Sequence, residues 1–457
     1  MRRLALHALA LVAALGGAAC DGRPRLEVRP RVAPGTHPLA GADAVTLTLI
    51  DAAGLPIAAR RVPATDDGIA LDAPVASGAL SVTLTATRGV DTLARGRSCP
   101  FTAPPAGVGL VLDVPFQPIG QFAPAADPPR AVDGAALVSV DGALYLVGGV
   151  DADGAPLRSS QRYLASTGRL TDGPAPARAR NGAVAVELAD GTALLLGGAA
   201  PDAAVFGAER LVGGRFYDMA ALFPADWRAG GAVELVPRVI LVAGGSVGGT
   251  PRADALLLTV GSGGEATLDP VGPLADARVE LTLTALSLGS ALAVGGRGAT
   301  GLTSDAVELF DVDTNAFAPL GPRLHQARTA HTATRLTDGR VLVAGGRGAD
   351  GVPLATVELV DPARRSVTVG GALATARAGH AATALPDGRV LLVGGVGADG
   401  APLADAEIWD PALGDAGGGV PTGAMATPRA TPALALLCDG TLLAVNGAAT
   451  VEAYAAP

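Results

Sequence analysis

Six times along this chain, at intervals of about 50 residues, an apolar run ends in a pair of glycines. The pairs are Gly148-Gly149, Gly197-Gly198, Gly244-Gly245, Gly295-Gly296, Gly345-Gly346 and Gly394-Gly395, and Asn446-Gly447 is a degenerate seventh copy. A fixed period of this length marks one supersecondary unit stacked on its own copies, because a single unit cannot bury its apolar surface alone.

The content of the unit is clearest in Arg328 to Asp361 and Arg377 to Asp410. Each copy gives a strand, an Asp-Gly turn, a second strand ending at the glycine pair, a loop and a third strand carrying Glu; a fourth strand such as Ala316 to Gly321 follows. Asp-Gly between apolar strands predicts a type I′ hairpin with positive φ at both central residues. It recurs at Asp141-Gly142, Asp190-Gly191, Asp338-Gly339, Asp387-Gly388 and Asp439-Gly440, and gives way to Pro237-Arg238 and Leu288-Gly289 in units three and four. The glycine pair removes side chains where strands crowd and the chain turns. Sixty-three glycines and 35 prolines beside only 17% charged residues fit many short buried strands better than helices or a disordered tail.

Strand, glycine pair, Glu-bearing strand and closing strand in this order resemble the kelch repeat of β-propellers, over about three quarters of the chain. The late Trp of that repeat is mostly missing, with Phe317 the nearest substitute. The resemblance implies an all-β, kelch-type β-propeller over 115–457. The seventh unit supplies two strands and a short third, Val451 to Tyr454, before the chain stops. Pro115 to Phe122 precedes the first unit and has no sheet of its own, so it is expected to close the ring beside that third strand and remove an open edge. Seven blades follow, or six if the last unit is decayed. Closure also places Cys438, beside the last Asp-Gly hairpin, near Cys99, just before the incoming strand, which makes these two the candidate disulfide.

Residues 38–114 differ from the repeats. Val45 to Ile50 and Ala79 to Ala86 alternate with period two, and Gly/Asp turns separate them. A small antiparallel β-sandwich, Ig-like in architecture only, is expected there. Residues 20–37 read as a lipidated N-terminus and linker, in which the Pro- and Arg-containing stretch from 21 to about 37 is a tether or an irregular first strand.

At the N-terminus, Arg2-Arg3 precede an apolar stretch from Leu4 to Leu15 and then Gly16-Gly17-Ala18-Ala19-Cys20. This pattern is a secretory signal over 1–19. It resembles a bacterial lipoprotein signal in which Cys20 is acylated, although Gly17 stands where that family usually has Leu. The resemblance implies a membrane anchor on Cys20 and a place in the cell envelope, periplasmic or on the outer surface. Removal of Arg2 and Arg3 takes the formal charge from −9 to −11. That sign opposes nucleic acid as a partner, which needs a basic footprint.

An arginine recurs 17 residues before the glycine pair at Arg180, Arg278, Arg328, Arg377 and Arg429, and a carboxylate recurs in the third strand at Glu209, Glu308, Glu358, Glu407 and Glu452. Two readings are open. The arginines neutralise buried carboxylates and carbonyls between repeats, or they line a channel mouth and bind an anionic partner, as arginines at the matching place do in eukaryotic kelch domains that bind acidic peptides. His331 and His380 share one repeat position, and a structural role is expected for both. No metal site or cofactor is expected: Asp-rich loops such as Asp151 to Gly154 hold too few carboxylates for calcium. Two kelch enzymes serve as the alternative. The galactose-oxidase type requires a copper centre with a cross-linked Cys-Tyr pair, whereas Tyr145, Tyr163, Tyr217 and Tyr454 sit in strands and Cys438 has no matching partner. The sialic-acid mutarotase type requires convergent Arg, Glu and aromatic groups, and aromatics make up only 3% of the chain. The expectation is therefore a non-enzymatic binding scaffold for an unknown protein or envelope ligand, with a carbohydrate-active enzyme as the alternative.

Overall fold

The computed structural model describes residues 25–64, 69–71, 79–103, 108–126, 133–198, 207–219, 227–261, 263–287, 289–446 and 450–457. The signal and Cys20 lie outside them. Among the described residues the chain is all-β, apart from one short 3-10 turn at Pro411–Ala416.

From residue 133 onward the chain folds into successive antiparallel sheets, most with a path of four strands, beside one two-stranded pair, Arg278–Val279 with Arg297–Gly298. The first runs Ala136–Val140, Ala143–Val147, Ser160–Leu164, Arg169–Asp172. The last is completed from two distant segments: Phe122–Ala126 pairs with Val451–Tyr454, which pairs with Leu442–Val445 and then Ala433–Leu436. With that sheet, seven such four-strand paths are present among the described residues.

Burial explains the strand sequences. The second strands of the second, fourth, fifth, sixth and last sheets read ALLL, ALAV, VLVA, VLLV and LLAV, and every residue in them is buried. A sheet covered on both faces leaves no polar side to its central strands, so alternation disappears and continuous apolar runs replace it. Each fully buried Val or Leu contributes about 1.5–3 kcal/mol. The first strands are different. Thr282–Ala285, Thr332–Arg335 and Ala381–Ala384 are half-buried and built from Thr, Ala and Leu with a single Arg. Each first strand lies against the first strand of the next sheet, and Ala433–Leu436 lies against Ala136–Val140, so the series of neighbours returns to its start. This arrangement is propeller-like.

Residues 25–118 form two sheets around one core. Pro56–Pro63, Ala44–Ile50, Ala79–Arg88, Asp91–Arg97 and Gln117–Pro118 make the larger sheet, and Ile69–Leu71, Arg25–Arg31 and Gly109–Pro115 the smaller. Leu26 and Val28 of the smaller sheet share a core with Leu47, Leu49, Val82 and Leu84 of the larger.

Three expectations need correction. The segment read as a lipidated N-terminus and linker, 20–37, contains the strand Arg25–Arg31, paired in parallel with Gly109–Pro115, so of its two readings, tether or first strand, the strand holds for those residues. The closing strand begins at Phe122 rather than Pro115. Residues 115–118 stay with the two-sheet domain, where Gln117 pairs with Arg95, and only Phe122 reaches Tyr454. Finally, Asp-Gly forms a two-residue turn with positive φ at both positions only at Asp141-Gly142. At Asp190, Asp338, Asp387 and Asp439 the loop is one residue longer: Leu336 N–H donates to Arg340 O, Gly339 alone has positive φ, and the Asp338 carboxylate accepts from Arg340 N–H at 3.0 Å. A three-residue hairpin needs the left-handed conformation only at its glycine.

Candidate functional site

The five repeated arginines converge on one internal geometry. Arg328 Nη1 donates to Gly345 O at 2.8 Å and Nη2 to Glu358 Oε1 at 2.6 Å. Arg377 does the same with Gly394 O at 2.7 Å and Glu407 at 2.6 Å, and adds Asp405 at 2.6 Å. Arg180 joins Gly197 O to Glu209, Arg278 joins Gly295 O to Glu308, and Arg429 joins Asn446 O to Glu452. Each arginine thus grips the carbonyl of the first residue of its own pair, 17 positions on, and the third-strand carboxylate.

The glutamates also accept backbone N–H groups: Glu407 takes those of Ala374 at 2.6 Å and Thr375 at 3.0 Å, and Glu308 that of Ala275 at 2.8 Å. The second glycine of a pair then donates to the backbone carbonyl of the next repeat's arginine, as Gly346 N–H does to Arg377 O and Gly395 N–H to Arg429 O, both at 2.9 Å. Glycine pair, arginine and glutamate are one device that ties strands within a sheet and each sheet to the next. A Cβ on Gly345 would stand 2.6 Å from Arg377 O, so the first position excludes any side chain.

The candidate anion-binding residues are therefore corrected. Arg180, Arg278, Arg328, Arg377 and Arg429 are 0–2% exposed and their forks are engaged by glutamate and carbonyl. A guanidinium so enclosed has no surface to present to a ligand, and the Nε atoms of Arg180, Arg278, Arg377 and Arg429, which have no partner among the described residues, are buried as well. Burial pulls Arg278, Arg328 and Arg429 below the ordinary arginine value, against the raising effect of their glutamates. Burying such pairs is tolerable because both oxygens of each glutamate accept hydrogen bonds and both terminal nitrogens of each arginine donate.

The histidines are buried as well. His331 Nε2 lies 3.0 Å from Thr282 Oγ1, and His380 Nε2 lies 2.9 Å from Thr332 Oγ1, so each links its repeat to the preceding one. Burial, reinforced by Arg328 and Arg377, pulls both imidazoles down to about 3, and they are neutral at physiological pH. Tyr145, Tyr163 and Tyr454 are core residues, and Tyr217 is exposed on a fourth strand. No group of three or more His, Cys, Asp or Glu side chains suited to a metal ion occurs among the described residues. The Asp-containing loops are turns: Asp350 and Asp399 each accept from the backbone N–H two residues on.

One concavity lies where the two-sheet domain meets the first and last sheets. Its volume is about 250 Å³, and its walls include Arg31, Phe116, Gln117, Pro124, Tyr163 and Thr441. Cys99 and Cys438 are joined by a disulfide at this junction, with Cα atoms 4.9 Å apart. Arg31 crosses it too, donating from Nη2 to Ala165 O at 2.8 Å. Burial pushes the Asp439 carboxyl up, opposed by Thr441 and Arg31, and pushes the Tyr163 hydroxyl up. Nothing in the sequence pattern singles out Arg31, which belongs to no repeat and whose partner Ala165 lies 134 residues away. The Gln117 amide nitrogen and Arg31 Nη1 have no partner among the described residues, but both are sealed from solvent and the walls are mainly apolar. The cleft reads as an imperfectly packed joint rather than a reaction centre.

No protein-family model matches this sequence, and no curated protein is similar to it.

Proposed function

We propose that the repeated sheets are the blades of a seven-bladed kelch-type β-propeller carried behind a small Ig-like sandwich. In this reading the chain is exported, acylated at Cys20 and held at a cell-envelope membrane as a non-enzymatic binding scaffold. The observation that carries the scaffold reading is the inward commitment of the repeat's charged residues. The arginines and glutamates that recur most regularly hold the sheets together, and the first strands Thr282–Ala285, Thr332–Arg335 and Ala381–Ala384 offer mainly Thr, Ala and Leu. Unlike polar groups converging at one mouth, as sugar chemistry requires, are not what these strands supply. A rigid ring with short, regular loops is a platform, with exposed apolar side chains such as Leu302 and Val352 at equivalent loop positions. The export and anchoring half of the reading is supported by Arg2-Arg3, the apolar run and Cys20.

The test has two parts. Metabolic labelling with a radioactive fatty acid should mark the full chain and not Cys20→Ala, which should leave the membrane fraction. Photo-crosslinkers placed at Leu302 and Val352 should give one discrete adduct in intact cells. Turnover of a sugar anomer or alcohol by the purified chain, abolished by a single channel substitution, would replace the scaffold reading with the enzymatic one.

A further inference from the structure

We propose that the outward face of the larger sheet in the two-sheet domain binds a carboxylated polysaccharide. The strand register fixes that face. Arg61 stands opposite Thr46, Thr46 opposite Thr85, and Thr85 opposite Arg95. The row beside it runs from Thr48 through Thr83 to Arg97. Directly opposed residues point to the same side of a sheet, and the alternate positions Val45, Leu47, Val82, Leu84 and Ala94 are buried in the core. The rows therefore face outward, with the threonines half-buried and all three arginines exposed.

The chemistry of this face differs from the rest of the molecule. No carboxylate stands in either row, on a chain whose formal charge is −9. Arg61 and Arg95 make no ion pair with any other described residue, whereas Arg180, Arg278, Arg328, Arg377 and Arg429 are all paired. Arg97 makes only a long contact to Ser81 Oγ, at 3.4 Å. Three strand spacings separate Arg61 from Arg95, about 14 Å at 4.7–4.9 Å each. The face thus offers two guanidinium forks at the span of a short oligosaccharide, with a flat grid of hydroxyls between them. Guanidinium forks match carboxylates, and threonine hydroxyls donate to and accept from sugar hydroxyls. The scarcity of exposed apolar side chains in the grid favours a hydrated glycan over a lipid surface. The inference concerns a face of the smaller domain and holds whether or not the chain is acylated.

The test is calorimetric titration of the full chain, in neutral detergent, with polygalacturonate oligosaccharides, uncharged galactan, polyphosphate and detergent micelles carrying an anionic phospholipid. The acidic oligosaccharide should bind and galactan should not. Arg61→Gln with Arg95→Gln should weaken that binding at least tenfold with no change in thermal midpoint, since both side chains are exposed. Thr46→Val with Thr85→Val keeps the strand-favouring shape and should weaken it several-fold. The proposal is overturned if the oligosaccharide does not bind, or if R61Q/R95Q binds it as the unaltered chain does. Equal binding of polyphosphate or of the anionic mixed micelles, indifferent to the threonine change, would overturn it in favour of unspecific charge attraction.

Discussion

Glu358 accepts from Arg328, from the backbone N–H of both His325 and Gln326, and from the His325 ring while only 1% exposed. Burying this carboxylate is tolerable because every one of its partners is in place. Glu358→Gln should cost about 3–5 kcal/mol, the usual penalty for leaving one charge of a buried pair uncompensated. The loss would be read as a fall in denaturation midpoint. Replacing both partners, Arg328→Met with Glu358→Leu, should recover much of that loss; a double variant as unstable as the single one would show that the backbone bonds, not the charges, carry the site. His331 and His380 make a second prediction, about pH. Their folded value near 3 lies below the ordinary 6.5, so the fold favours neutral imidazole. Their contribution is complete above pH 6.5 and is lost as pH falls from there toward 3. The thermal midpoint should decline between pH 7 and 5, before most carboxylates titrate, and His331→Gln with His380→Gln should flatten the decline. Spacing alone revealed that these residues form a set. It could not reveal which way they point, and a repeat-wide ring of arginines at a channel mouth has the same sequence period as one turned inward.

At the level of the strand and turn, the glycine pairs were the most legible feature because their cause is local. Gly346 has φ +98°, and a Cβ there would lie 2.7 Å from Thr329 O and 2.8 Å from His331 Cβ. Gly351 has φ +77° with nothing within 4 Å of its added Cβ. Gly351→Ala should therefore cost only the left-handed strain, about 1–2 kcal/mol, and Gly346→Ala distinctly more, because packed backbone must also move. Comparing the two denaturation midpoints checks this, and equal losses would reduce the pair to a question of φ alone. The Asp-Gly turns show where local reading stops. Asp141-Gly142 and Asp338-Gly339 are the same dipeptide, yet one loop has two residues and the other three. Which loop forms depends on the register of the flanking strands, and pairing across the sheet sets that register.

For the molecule as a whole, closure was legible in outline because the last unit lacks a strand and the chain has an unassigned one upstream. Its boundary was not, because Gln117-Pro118 can extend either of two sheets, and pairing with Arg95-Ala94 wins. The junction that results is held by few elements: the strand Phe122–Ala126, the Arg31 contact to Ala165, and the disulfide between residues 339 apart in sequence. Each of the other six four-strand paths after residue 133 is drawn from one stretch of chain, so it forms without distant segments meeting. Among these seven, the last alone needs two distant segments, Phe122–Ala126 and Val451–Tyr454, and the disulfide shortens the loop between them. In the chain-entropy picture a cross-link over so long a loop stabilises by up to about 5–6 kcal/mol, with measured values often lower. Removing it in Cys99→Ser with Cys438→Ser should not loosen the molecule evenly. Hydrogen-exchange protection should fall first at 122–126 and 451–454, then at 433–445, while 332–335 and 381–384 retain theirs. A uniform loss, or an earlier one in the fifth and sixth sheets, would mean that the seam is not the weakest line and that the cross-link only tethers one domain to the other.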